Sequence, residues 1–267
     1  MSSLTLRPHR PIPRSTVRVV LLVRANMQRY FKHRLLFVTG FLEPFLFLLS
    51  IGVGVGGLVG GIHVEGETIP YAVFVAPGLM ATSAMNGAMI DSIFNVYFKL
   101  RISHSYDAVL ATPMSPTDLA LGEIGWSIVR VGIYSVAFLI VMAGLGDVHS
   151  WMVIFCLPAA MLVSASFSAV GIAATTYMRT WQDFDLVMMI QMPMFLFSGV
   201  FFPLTVYPGW LQLVVSLTPL YQGVALCRDF ALGHLHLWML FNVAYLLIMG
   251  AIGLRITIRR LAILLLP

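Results

Sequence analysis

The chain has 267 residues, of which 59% are hydrophobic and only 10% charged, with a formal net charge of +5 and a mean hydropathy of +0.91. That leaves far too little polar surface to cover a soluble globule of this length, so the composition excludes a water-soluble domain and defines an integral membrane protein. The positive charge is accounted for by its position along the chain, and no nucleic acid partner is implied.

Residues 1–34 carry Arg7, Arg10, Arg14, Arg18, Arg24, Arg29, Lys32 and Arg34 and no acid. The apolar run behind them has no small-residue cleavage site and reaches spanning length, so the segment reads as a retained leader and not a secretory signal. Pro8, Pro11 and Pro13 stiffen its start. Val17, Val20, Leu21, Arg24, Met27 and Phe31 then have the spacing of a basic amphipathic helix lying on a bilayer surface. A membrane-crossing helix needs about 20 mainly apolar residues. Six such runs follow, at 35–57, 71–93, 118–143, 151–177, 186–203 and 236–256. The expected architecture is therefore all-α: a leader (1–34), a six-span domain (35–256) and a short tail (257–267).

Basic residues orient these spans. Lys99, Arg101, Arg179, Arg255, Arg259 and Arg260 fall on the side of the leader, and only Arg228 falls on the other. The connections 58–70 and 144–150 on that other side hold Glu65, Glu67 and Asp147 without a lysine or arginine. The positive-inside rule then places both termini in the cytosol.

Charges inside the spans need partners. In GFLEPFLFLLSIGVGVGG (40–57), helical spacing puts Glu43 on one face with Gly40, Phe47, Ser50, Gly54 and Gly57. Small residues gather where helices approach one another, so Glu43 is expected to face the bundle. The third span has a polar stripe of Glu123, Ser127, Arg130 and Tyr134. A buried pair between Glu43 and Arg130 is expected to brace the first and third spans, with Asp91 or Glu123 as alternative partners.

Several motifs carry no chemistry. Gly52, Gly54 and Gly57 satisfy GxGxxG, but they continue a membrane helix where a dinucleotide site needs a preceding strand. Asp183, Phe184 and Asp185 spell DxD in a connection too short for a nucleotide domain and read as a solvated helix cap. No GxxxxGK[ST] occurs, so any ATP-driven motor must be another subunit. Cys156 and Cys227 lack metal spacing, and His63, His104, His149, His234 and His236 share no ligand pattern.

Two connections are informative. YFKLRISHSYDAVLATPMSPTDLALGE (97–123) reads as a short helix over 97–111, a stop at Thr112–Pro116, and a sharp restart with Ser115 as N-cap, Pro116 at the first helical position and Asp118 closing a capping box. On the other side, Pro203, Pro208, Gly209 and Pro219 divide 195–233 into two apolar pieces too short to cross, WLQLVVSL and PLYQGVALCRDFAL. These are expected to dip into the bilayer and return over about 209–233, anchored by Tyr207, Trp210 and Tyr221.

Taken in order, LEPFLFLLSIGVGVG, YAVFVAPGLMATSAMNGAMIDS, YDAVLATPMSPTDLALGE, FSGVFFPLTVYPGWLQ and TPLYQGVALCRDFALG resemble the membrane subunits of type-2 ABC exporters over residues 20–255. The likeness is strongest to the NodJ branch, associated with lipo-oligosaccharide export, while related branches move polysaccharides and hydrophobic drugs. The resemblance implies a multi-pass permease of a bacterial plasma membrane, paired with a second permease, identical or a sister chain. Two cassette ATPase subunits would bind ATP and magnesium, and this chain would hold no cofactor and perform no catalysis. It further implies a coupling helix including Tyr97, Lys99, Arg101, Tyr106, Asp107 and Leu110, a re-entrant segment marked by Pro203, Pro208, Trp210, Pro219, Tyr221 and Arg228, and a substrate route lined by spans one, two and five. Asp91 stands where the family more often has glutamate, which keeps the charge. The rival classes are an ion-coupled secondary transporter relaying protons through Glu43, Asp91 and Glu123, which would usually show an internal repeat that is not found, and a membrane enzyme, for which the candidate catalytic groups are too scattered.

Overall fold

The computed structural model describes residues 15–32, 42, 45–59, 61–64 and 67–265, and over them the chain is mostly helical. The first helix, α1 (Ser15–Lys32), packs against a later helix through a row spaced by three and four, Ser15, Arg18, Leu22, Asn26 and Tyr30. Leu22 and Asn26 on that row are buried, whereas Val17, Val20, Leu21 and Phe31 are exposed. The expected amphipathic helix is present, and its apolar stripe is the side left uncovered.

A π-helical turn (Ser50–Val55) and one α-turn (Gly56–Val59) lead to a two-stranded antiparallel hairpin, β1 (Gly61–Val64) and β2 (Glu67–Pro70), with Gly61 opposite Pro70 and Val64 opposite Glu67. This amends the all-α expectation: β-branched Ile62, Val64, Thr68 and Ile69 favour extended pairing over helix here. Helix α2 (Tyr71–Ile90) then continues through π-helical turns at Asp91–Asn95 and Phe98–Ile102, giving one rod of 32 residues. At 1.5 Å per residue it is about 48 Å long, well beyond a hydrocarbon core of about 30 Å.

That rod changes the expected helix at 97–111. Residues up to Ile102 belong to the long rod, His104 breaks it in the left-handed region (φ 47), and only α3 (Ser105–Leu110) is a separate short helix. A non-glycine residue in that region is uncommon, though histidine is among the types that tolerate it. Helix α4 (Pro116–Leu145) starts with the capping box read in the sequence: Asp118 N–H donates to Ser115 Oγ at 3.1 Å and Ser115 N–H donates to Asp118 Oδ2 at 3.0 Å. It ends at Gly146, whose positive φ of 81 suits a residue without a side chain.

The remaining helices are α5 (Cys156–Thr175), α6 (Asp183–Leu196), α7 (Gly209–Ser216), α8 (Pro219–Leu232) and α9 (Trp238–Leu265). Among the described residues four continuous rods are long and apolar enough to cross a membrane: Tyr71–Ile102, Pro116–Leu145, Trp151–Thr175 and Trp238–Leu265. They correspond to the expected second, third, fourth and sixth spans. Helices α7 and α8 meet at 87°, a bend that fits a broken span as well as a segment that enters and returns. Of the first expected span, 35–57, the described part is residue 42 and 45–57, helical up to and through the π-turn at Ser50–Val55. The fifth is represented by the 14 residues of α6, about 21 Å of helix, after which the chain turns at Gly199 with φ 71.

Helix α5 is the hub, packing against α2, α4, α8 and α9. Its Ala, Ser and Gly residues let neighbours come close: a Cβ on Gly253 of α9 would lie 2.8 Å from the Val170 nitrogen. Hydroxyls seal the same seams, Ser127 with Ser164 at 3.0 Å, Ser166 to the Leu246 carbonyl at 2.8 Å and Thr257 to the Ala169 carbonyl at 3.1 Å.

Candidate functional site

The start of α4 is where α1 is fastened. Asp118, already used in the capping box, also accepts from the Ser15 hydroxyl and pairs with Arg18 at 3.2 Å, and Arg18 donates to the Pro113 carbonyl. One turn deeper, the Glu123 carboxylate takes Lys99 Nζ at 2.8 and 2.9 Å and Asn26 Nδ2 at 3.1 Å, while Lys99 also donates to Asn26 Oδ1 at 3.1 Å. The buried Tyr106 hydroxyl lies beside the same carboxylate; burial, then the adjacent negative charge, push its pKa well above the ordinary phenol value. Three segments, α1, the end of the long rod and α4, are thus joined through one carboxylate, with Tyr106 of α3 buried beside it.

A second cluster lies further along the same helices. Arg130 of α4 pairs with Asp91 at the first π-turn of the long rod, and Asn95 donates to the same Asp91 oxygen at 2.8 Å. The guanidinium carbon sits 5.2 Å from the Tyr30 ring centre and 5.5 Å from that of Tyr134, two tyrosines whose hydroxyls meet at 2.5 Å. Arginine over aromatic faces gains cation–π attraction while the carboxylate balances its charge.

Beside this pair a cavity of about 450 Å³ opens between α2 and α6. Phe47, Phe94, Phe184, Phe195, Met188 and Met192 give it an apolar wall, and Thr82, Ser83, Asn86, Gln191, Tyr134 and Arg130 supply its polar groups. Gln191 donates to Asn86 Oδ1 at 2.7 Å, bridging the two helices. The volume and the mixture of an apolar wall with a few convergent polar groups are those of a small-molecule site.

Behind the cavity's Phe94 and Phe184, the rings of Phe94, Tyr97, Trp181 and Phe184 pack with centres 4.8 to 5.5 Å apart, Phe94–Phe184 and Trp181–Phe184 stacked and the Tyr97 contacts tilted or edge-on. The carbonyls left free past the end of α5 are taken up by the Tyr97 hydroxyl on Arg179 (3.2 Å) and by two cations of the kind a helix C-terminus favours, Arg101 on Met178 (3.3 Å) and Arg260 on Thr176 (3.5 Å). Asp183 bonds back to the N–H groups of Thr180 (2.9 Å) and Arg179 (2.7 Å), which hold it below the usual carboxylate range; the DxD residues close a turn and start α6. Among the described residues no group of three or more His, Cys, Asp or Glu could hold a metal.

Residues 17–232 match the family described as ABC-2 type transporter. The chain belongs to that family. It is similar to Nodulation protein J of Rhizobium meliloti (strain 1021), 26% identical over 192 residues and 72% of each chain, and to Nodulation protein J of Rhizobium leguminosarum bv. trifolii, 27% identical over 225 residues and 84% of each. It is also similar to the inner membrane transport permease YadH of Escherichia coli (strain K12), 25% identical over 179 residues, 66% of this chain and 67% of that one.

In this ABC-2 chain the residues singled out from the sequence sort by burial. Tyr97 and Lys99 are turned inward to partners, Tyr106 is buried, Leu110 is half-buried, and Arg101 and Asp107 are exposed beside Ile102 and His104. Glu43 lies outside the described residues; Arg130 is engaged by Asp91, one of the alternatives left open, and Glu123 by Lys99. At the opposite end Pro208 and Trp210 are exposed, Pro203, Pro219 and Tyr221 half-buried. Arg228 is drawn inward: it donates to the carbonyls of Gly199 (2.7 Å), Val200 (3.3 Å) and Phe74 (3.3 Å), with its guanidinium 3.8 Å from the Phe74 ring centre. Asn26, Tyr30, Asn86 and Gln191 were not anticipated. The four-residue spacing of Arg18, Leu22, Asn26 and Tyr30 was a readable signal for the first two; nothing in the sequence pairs Asn86 with Gln191.

Proposed function

We propose that this chain is the permease subunit of an ATP-driven exporter that moves an amphiphilic or lipid-linked substrate out of the cytoplasm or the inner leaflet of a bacterial inner membrane. A lipo-oligosaccharide, glycolipid, polysaccharide or hydrophobic drug fits that description, and the likeness to Nodulation protein J favours the first. The observation that carries the reading is the cavity of about 450 Å³ between α2 and α6, apolar on its walls and polar at a few convergent points, which suits a molecule with a long apolar part and a polar head.

The energy source is a separate cassette ATPase, two copies per complex with ATP and magnesium, working on a pair of permeases. The exposed surface of Arg101, Ile102, His104 and Asp107, at the end of the long rod and on α3, is the contact for that ATPase. A push there has a rigid route inward, since Lys99 and Tyr106 both bear on Glu123 and the same rod carries Asp91 towards the cavity. Both termini lie on this side, the cytosolic one. The test is reconstitution in proteoliposomes. The purified permease alone is expected neither to hydrolyse ATP nor to transport, and both activities are expected when the cassette ATPase is added. ATP turnover by the isolated chain would overturn the reading.

A further inference from the structure

Arg130 stands out among the groups lining the cavity. It is the single charged side chain among the described residues of the lining, and it is more than nine-tenths buried, at 8% exposure. Its pairing with Asp91 is end-on: only Nη1 meets Oδ1, and both Arg130 Nε and Asp91 Oδ2 are buried without a hydrogen-bond partner. A guanidinium is a planar fork of five donors suited to two-point binding of carboxylate, phosphate or sulfate, and an end-on pair leaves part of that fork unused. Unsatisfied buried polar atoms are few in native proteins and call for a reason. The aromatic rings of Tyr30 and Tyr134 fix where the guanidinium sits. Asp91 itself is not part of the lining, so a ligand in the cavity meets the cation and not its counter-ion.

We propose that the cavity selects amphiphiles carrying an acidic group, with Arg130 as the side chain that recognises the anion while the apolar part lies against the Phe and Met residues of α2 and α6. This rests on the exporter reading and narrows it to a headgroup charge. The source of the anion is either the exported substrate or a resident anionic lipid, and both share the chemistry.

The experiment uses the full-length permease in phosphatidylcholine nanodiscs, titrated with radiolabelled dodecyl phosphate against empty nanodiscs as background, with unlabelled dodecyl maltoside as the neutral competitor. Saturable binding is expected, with the maltoside competing at least about tenfold more weakly, a difference of about 1.4 kcal/mol. Asp91→Asn together with Arg130→Gln leaves no lone buried charge and should erase the preference. Ser83→Trp, which keeps the pair and fills the cavity, should abolish binding. Equal competition by the two headgroups, a preference that survives the double substitution, or unchanged binding in Ser83→Trp would each overturn the proposal. Adding the ATPase and ATP then separates the sources: export of dodecyl phosphate marks cargo, whereas retention, with a stoichiometric anionic phospholipid displaced from the purified protein, marks a resident lipid. Loss of headgroup preference with ATP-driven export intact removes this inference alone; absence of export with the preference intact removes the exporter reading alone.

Discussion

Helices α5 and α6 are both apolar without an amphipathic stripe, yet they have opposite fates. Most of α5 is buried against four neighbours, while in α6 only Phe184 is buried and Met189, Ile190 and Met192 are 67 to 70% exposed. Residue size, and not hydropathy, separates them. CLPAAMLVSASFSAVGIAAT is mainly small residues, whose backbones pack closely inside a membrane where apolar burial gives little advantage over lipid. DFDLVMMIQMPMFL is long and flexible, suited to a surface that meets varied partners. The difference teaches that stability is concentrated around α5 and that the α6 side, which lines the cavity, is kept available for ligand or partner.

The largest expected effect falls where the two regions meet, at Arg130 and Asp91. Arg130→Met alone should destabilise by about 3–5 kcal/mol, because it leaves a buried carboxylate uncompensated. Combining it with Asp91→Asn should cost less than the sum of the single losses. Unfolding by SDS titration in mixed micelles measures both. Strictly additive losses would mean that the pair does not couple α2 to α4.

Next is Gly253→Val at the α5–α9 seam. A Cβ there would come within 2.8 Å of the Val170 nitrogen and 2.9 Å of the Ala169 carbonyl carbon. Backbone cannot give way as a side-chain tip can, so a loss of about 1–3 kcal/mol is expected. Equal tolerance of Gly253→Val and of a valine at exposed Met189 would erase the contrast between the two helices.

How much of this was legible depends on whether the determinant was local. The capping box at Ser115 and Asp118, the break between α7 and α8, and the four continuous rods follow from residues a few positions apart. The hairpin at 61–70 is not legible in the sequence, because its two strands are only four residues each and their pairing alone makes them visible. The charge partners were underdetermined, since helical spacing groups residues on one helix but does not say which helix lies opposite; Arg130 had three candidate acids and took Asp91, and Glu123 took Lys99. For α1 helical spacing gives the apolar stripe of Val17, Val20, Leu21 and Phe31, which stays exposed, but does not single out the second row, Arg18, Leu22, Asn26 and Tyr30, that contacts α4. In a membrane protein the more apolar face need not be the buried one.

A smaller effect is expected at the start of α4. Ser115→Ala removes the acceptor for Asp118 N–H and should cost about 1 kcal/mol, with Asp118 still held by Ser15 and Arg18. Hydrogen exchange should then rise in the first turn of α4 while the α5 amides remain protected. Loss of protection throughout α5 would show that the cap and the hub unfold as one unit, and the proposed concentration of stability around α5 would fail.

The smallest stability effect and the most direct test of the α6 side come from the methionines of its cavity wall. Met188 and Met192 are 49% and 70% exposed and both line the cavity. Replacing both by leucine preserves volume and apolarity, so stability should stay within about 0.5 kcal/mol. What changes is adaptability: an unbranched thioether with three rotatable bonds can follow the outline of different ligands, and a branched leucine cannot. Substrate-stimulated ATPase activity of the reconstituted complex is therefore expected to show a narrower range of accepted amphiphiles, with half-saturation shifted several-fold for some and unchanged for others. A uniform response across amphiphiles combined with a clear fall in stability would make α6 a packing element like α5, and residue size would no longer separate the two.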